Sequence, residues 1–415
     1  MKLFSLEIKR VLRTRTTWLL LAASLVLSGI MAWLPVTFES RYIGGLDGIE
    51  QTEVKGLAAI RLIRDAQAEL GGIITQEQLK DVLETAQKTL NDSGKAYTYQ
   101  LSPDIYQENI LPIAPLLSRV TEVYADPETG MAPGLTDLAP EQLDHYYESC
   151  VTHLDDLMKL EQKEHPAAQE KARALYAKVK MPFVFYPGYN TNAFDYQMLL
   201  IFLVVLFCTV IAAPVFSAEY QTQADDILRC TKHGKIRLAV IKLLSALLIT
   251  TIAFLCCAAL YLVLSNSFYG WDMLKTSIQL IFSSVSLGSM NIGQLQLAVV
   301  AAGWASLLAS ISFTLFLSSR CKNTVTALSI ALLFFLAPII LYMASSGNAV
   351  SWLRCLLPSG GVSILGGFAG EMTDFNFLHL GNFSVWSPYV IAAASLIEIP
   401  VFLAAASWSY CRHSQ

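Results

Sequence analysis

The 415-residue chain is 54% hydrophobic and only 15% charged, with a formal net charge of −4 and a mean hydropathy of +0.47. A soluble domain of this length cannot bury so much apolar surface, and the acidic balance gives no footprint for nucleic acid. What is left is an all-α membrane protein. A bilayer core of roughly 30 Å needs about 20 apolar residues per helix. Six segments supply them: Trp18 to Val36, Met198 to Phe216, Leu238 to Leu264, Leu295 to Leu317, Val325 to Met343 and Tyr389 to Tyr410.

Before the first crossing, Phe4, Ile8, Val11 and Leu12 share one helical face, and Lys2, Lys9, Arg10 and Arg13 share the opposite one. Residues 2 to 15 are predicted to lie along the membrane surface. Anionic lipid would add about 1 kcal/mol per basic residue there. The first crossing is too long for the apolar part of a signal peptide and lacks a small-residue cleavage site after MAWLPVTF, so it reads as an uncleaved anchor.

Orientation follows from the short loops. Basic residues gather at the amino terminus, between Arg229 and Lys242, at Arg320 and Lys322, and at Arg412; the opposite short loops carry only Lys275 and Arg354. The positive-inside rule then places both termini in the cytoplasm; a bacterial plasma membrane is the expected location. The rule also places residues 38–197 outside, as a domain rather than a loop, with 25 acids against 14 bases. The sequence thus divides into 1–37, 38–197 and 198–415.

The inserted domain is predicted to be α-rich, with little or no strand. TQEQLKDVLETAQKTLNDSG offers Thr75 as an N-cap with Gln78 three later. Leu79, Val82, Leu83, Ala86 and Leu90 follow on one face, with Gly94 as a stop. PEQLDHYYESCVTHLDDLMKL repeats the pattern, with Pro140 in the first turn and Leu143, Tyr147, Cys150, Leu154 and Leu157 on one face. His145, Glu148, His153 and Asp156 spread too far around that helix for a compact metal site, and read as a solvated face. Cys150 and Cys355 are the cysteines expected outside; a bridge between them and two small buried thiols are both open readings.

Further on, Trp271, Leu274, Ile278, Ile281, Phe282 and Val285 fall at helical spacing, with Asp272, Lys275, Gln279 and Ser283 opposite. This predicts an interfacial helix on the outer leaflet. PSGGVSILGGFAG, Pro358 to Gly370, reads as short helices dipping into that leaflet. Glu398 stands near the middle of the last crossing, two residues before Pro400. It is either a substrate contact or proton site, or a protonated acid bonded to a neighbouring helix or to backbone loosened by Pro400. No phosphate-binding loop, zinc-protease motif or nucleophile elbow is present, and no catalytic residue is assigned.

The charged interruption between the second and third crossings carries F-S-x-E at Phe216 to Glu219, then ADDILRCT, the basic turn KHGKIR, and Lys242 re-entering the apolar run. With the amino-terminal helix, the large insert and the order of crossings, it resembles a membrane subunit of the type-2 ABC exporter family. The resemblance implies that residues 217–237 are similar to a coupling helix, in which Glu219, Asp225, Asp226, Arg229 and Lys232 would meet a separate ABC ATPase subunit. Two ATPase copies are implied, with ATP and Mg bound on them and no cofactor on this chain. The permease partner is implied to be a second copy or a different chain, and the substrate a peptide, lipid or drug. Two other readings are a non-transporting receptor or immunity protein acting through the ectodomain, and a mechanotransmission protein. The first finds no cytosolic signalling domain, and the second is disfavoured by six apolar segments.

Overall fold

The computed structural model describes residues 2–43, 52–230 and 234–412. Helix α1 (Lys2–Leu12) leads through a short turn into α2 (Arg15–Phe38), the first of six helices long and apolar enough to cross a membrane. The others are α9 (Thr191–Ala212), α12 (Ile236–Tyr269), α13 (Ile292–Arg320), α14 (Thr324–Ala344) and α17 (Ser387–Arg412). Each predicted crossing lies within one of these apolar units, if α9 is taken with the short helix α10 (Pro214–Thr222) that continues it to Thr222. Alternation of six crossings puts the described chain ends at one end of the bundle, called here the terminal end, and the insert at the other. Helix α13 packs against α17, α9, α12 and α14 and forms the axis of the bundle; its buried face is rich in small residues, Gly303, Ser306, Ala309, Ser310 and Ser312 among them. Such residues let helix backbones approach closely where no hydrophobic force separates lipid from protein.

The insert is helical in the main. It holds β1 (Ser40–Ile43) paired with β2 (Thr52–Lys55), α3 (Leu57–Ala66), β3 (Gly72–Ile73), α4 (Gln76–Ser93), the single turn α5 (Pro103–Ile105), α6 (Ala114–Glu122), α7 (Tyr146–Glu161), α8 (Pro166–Tyr176) and β4 (Val184–Phe185), which pairs with β3. Helix α4 has the predicted capping box at Thr75 and Gln78 and a left-handed Gly94 at its end, with φ 61°, and all five predicted core residues are buried. Helix α7 departs from the pattern. Pro140–His145 forms a 3₁₀ turn, which advances 120° per residue rather than 100°, so the buried face rotates to take in Tyr146, His153 and Met158 with Cys150 and Leu154. His153 is therefore buried rather than solvated, while His145 pairs with Glu148 on the surface at 2.9 Å. Cys150 and Cys355 are both free and buried.

The interfacial helix predicted over 271–285 is corrected. Helix α12 continues to Tyr269, and the chain then runs as short 3₁₀ turns at Trp271–Lys275 and Ile278–Leu280. Gln279, expected on a polar surface, is buried and donates to the carbonyls of Ser286 and Gly288, each at 2.9 Å. Of the apolar residues at helical spacing, Ile278 and Val285 are buried and Leu274, Ile281 and Phe282 pack against the core, while Trp271 stays 53% exposed. Ser277 N donates to the Val184 carbonyl at 2.8 Å, and the Tyr176 hydroxyl donates to the Ser284 carbonyl at 2.7 Å. Serine-rich backbone, satisfied from outside the segment, displaces the helix. One apolar cluster consequently runs from Leu79 and Tyr146 in the insert to Phe254 and Leu315 in the bundle.

Between α14 and α17, the chain forms α15 (Asn348–Cys355), a 3₁₀ turn at Gly360–Val362, α16 (Phe368–Thr373) and the hairpin β5 (Phe377–Leu380) and β6 (Phe383–Trp386). Within Pro358–Gly370 the expected short helical pieces are the turn at Gly360–Val362 and the start of α16; α15 and the hairpin lie outside that stretch and outside the expectation. The hairpin's signal was in the sequence: Gly381, at φ 58°, and Asn382 form a two-residue turn between alternating segments.

Candidate functional site at the terminal end

Proline 214 starts the local story. It lacks an N–H and marks the break at which α9 gives way to α10. A new helix begins with unpaired N–H donors. Ser318, on α13, accepts from Phe216 N at 3.0 Å and Ser217 N at 3.1 Å, and its own hydroxyl donates to the Ala213 carbonyl at 2.6 Å. A side chain from another crossing thereby caps α10. The helix is also tied to the connection between α13 and α14: Gln221 Nε2 donates to Asn323 at 2.8 Å, and Ser217 and Thr324 hydroxyls meet at 2.9 Å.

Inside this frame sits a closed set of charges. Glu219, 6% exposed, receives Arg10 from α1 and Lys242 from α12 on one carboxylate oxygen. Glu7 Oε1 completes the set, 2.5 Å from Arg10 Nη2 and 3.7 Å from Lys242 Nζ, in ion-pair contacts whose angles are not those of hydrogen bonds. Arg10 and Lys242 also donate to the Val215 carbonyl, at 3.1 and 3.4 Å. Lys242 is 1% exposed and lies 5.5 Å from the Phe216 ring centre. Two acids and two bases balance, which is the condition for holding charges out of water. Helices α1, α10 and α12 meet at this point as one unit.

Beyond α10, Gln223 turns the chain in the left-handed region at φ 55°, and α11 (Ala224–Arg229) follows. Ile227 stands 75% exposed on it, whereas Asp225 is buried. Of the residues expected to face an ATPase, then, Glu219 and Asp225 turn inward, and the first is a structural tie. Lys232 and the side chains of Asp226 and Arg229 lie outside the described residues. Lys9 and Arg13 are exposed as expected of a surface helix, but Arg10 is committed to Glu7 and Glu219. Sequence reasoning missed Glu7, which stands three residues before Arg10 and pairs with it along the helix.

Glu398 lies on α17 ahead of Pro400, partly buried, and its Oε2 has no hydrogen-bond partner among the described residues. The bond to a neighbouring helix or to freed backbone is not made by that atom.

A polytopic helical membrane protein with its charged short helices gathered at one end is the class these features define. A family model described as ABC-2 family transporter protein matches residues 1–354, and the chain belongs to that family. It is a permease, the membrane component of an ABC transporter, a family that works with an ABC ATPase. Comparison with curated proteins gives no match.

Proposed function

We propose that this chain is the permease subunit of an ATP-driven exporter in a bacterial plasma membrane, with both termini cytoplasmic and residues 38–197 outside. A separate ATPase, in two copies, binds at residues 217–237 and holds the ATP and Mg. The second permease is another copy or a different chain, and surrounding lipid seats α1 by Lys9 and Arg13. The observation that supports this best is the tie of α10 to α1, α12 and the α13–α14 connection. A short element so fixed moves with its crossings as a rigid body, so closure of a partner against it tilts the bundle. The exposed Ile227 on α11 supplies the apolar contact, and Asp226, Arg229 and Lys232 set register against the partner.

Co-expression with the candidate ATPase, purification and a count of chains test the assignment. Two ATPases per two permeases are expected; a chain that purifies alone from cells containing that ATPase contradicts it. Glu398, with an unpartnered carboxylate oxygen, is assigned to substrate or proton movement. Glu398→Gln should impair transport or its pH dependence while assembly stays intact; unchanged transport would return it to a structural role.

A further inference from the structure

At the opposite end, where the insert meets the ends of α2, α9 and α12, lies a cavity of about 370 Å³, within the size range of small-ligand sites. Its walls include Arg41, Arg64, Tyr189 and Tyr269. Four polar atoms on these residues are buried without a hydrogen-bond partner among the described residues: Arg41 Nε, Arg64 Nε and the hydroxyls of Tyr189 and Tyr269. Buried donors are nearly always paired, because each orphan costs about 1–3 kcal/mol. Arg41 Nη1 donates to the Ser40 carbonyl at 2.9 Å, but neither Arg41 nor Arg64 forms an ion pair among the described residues, so the charge of both guanidinium groups in this wall is open to a partner.

The architecture keeps this space open. Gly270 has φ 105°, and a Cβ there would stand 2.6 Å from the Arg64 guanidinium carbon. Gly188 has φ 116°, and its Cβ would meet the Tyr269 carbonyl at 2.1 Å. Glycine at 270 lets the Arg64 guanidinium lie against the backbone, and glycine at 188 lets the chain pass the Tyr269 carbonyl, which fixes Arg64 in the wall. Thr191 and Asn192, the first residues of α9, also line the cavity and bring the positive end of a 22-residue helix to it.

Charge identifies the ligand. The opposing acid in the wall is Glu39, which accepts from Asn190 Nδ2. Asp272 feels Arg64 from nearby but is exposed and bonded to Lys275 at 2.8 Å. Asp195, close enough to act on Tyr189, is a third acid nearby, but none of the three forms an ion pair with Arg41 or Arg64 among the described residues, so both guanidinium groups are left for a ligand. Guanidinium forks match the oxygens of phosphates and carboxylates, and phenol hydroxyls add donors of the same kind. We propose that this cavity binds an oxyanion, a phosphate or carboxylate group carried by a small solute or by a lipid headgroup, through Arg41, Arg64, Tyr189 and Tyr269. The proposal does not depend on the coupling role of residues 217–237.

The test uses the full chain in a maltoside detergent, which carries neither phosphate nor carboxylate, with thermal unfolding as the readout. Inorganic phosphate is titrated against chloride at equal ionic strength, and phosphatidylglycerol is added to a parallel sample. A saturable rise in Tm with phosphate identifies a soluble anion; a rise only with phosphatidylglycerol identifies a headgroup; either supports the site. In Arg64→Gln and Arg41→Gln the phosphate midpoint should rise at least about tenfold, or the lipid-dependent shift should vanish. Tyr269→Phe, which keeps the ring, should weaken either effect several-fold and serves if an arginine variant does not fold. No rise with either probe, or the same rise in all three variants, overturns the proposal.

Discussion

The two ends of this bundle treat charge in opposite ways. At the terminal end, buried Glu7, Glu219 and Lys242 and the part-exposed Arg10 neutralise one another. At the insert end, Arg41 and Arg64 stand over a cavity with buried Nε–H donors unpaired among the described residues. The four charges of this set are paired with one another, and its contribution is rigidity between α1, α10 and α12. An open set is unsuited to rigidity and suited to a visitor. On the two proposals made above, the chain separates an element that is pushed from a cavity that is filled.

Breaking the closed set should give the largest effect. Lys242→Ala leaves Glu219 buried beside a half-exposed Arg10, and removal of one partner from a buried pair costs about 3–5 kcal/mol. The expected result is a marked fall in Tm in detergent, with much of it recovered in the double variant Lys242→Met, Glu219→Gln. Ser318→Ala should cost about 1–3 kcal/mol by stranding the first N–H groups of α10. Arg10→Ala should cost about 1 kcal/mol or less, because its side chain is 40% exposed. The open set should behave in the reverse sense. Arg64→Gln in ligand-free detergent should leave Tm unchanged or raise it slightly, since it removes an unpaired buried donor.

A smaller effect is expected where the insert touches the β5–β6 hairpin. The rings of His165 and His379 stack with centres 3.5 Å apart. Burial, and then the neighbouring His165, lower the pKa of His379 below its ordinary 6.5. Glu161, whose pKa is raised by burial and then by Asp374, and Asp374 itself line the same cavity. Arg354 lines it too but is paired with Glu371 at 2.8 Å. Because the unfolded chain holds the His379 proton more tightly, its contribution to stability is complete above pH 6.5 and is lost as pH falls through the lower folded value. Thermal unfolding between about pH 7.5 and 5.5 should show a slope that His379→Gln flattens.

What could be read from sequence follows the range of the interaction. The crossings and the α4 capping box are written in consecutive residues, and the structure contains them. The loop over 270–291 was misread because its apolar spacing reports burial without saying against what; the answer lies in Tyr176 and Val184, about a hundred residues earlier. At the terminal end the charged residues were visible, but not which would be turned inward by Arg10 and Lys242. The cavity left no trace in the sequence, since Arg41, Arg64, Tyr189 and Tyr269 come from four distant segments.

The central claim is that α11 is the contact through which an ATPase acts on the crossings. ATP hydrolysis by the purified complex, wild type against Ile227→Asp, tests it most directly. Ile227 is exposed on α11, so the variant should fold with an unchanged Tm yet lose stimulation of the ATPase about tenfold or more, as expected when a charge enters an apolar contact. Full stimulation by a normally folded Ile227→Asp variant would contradict the account.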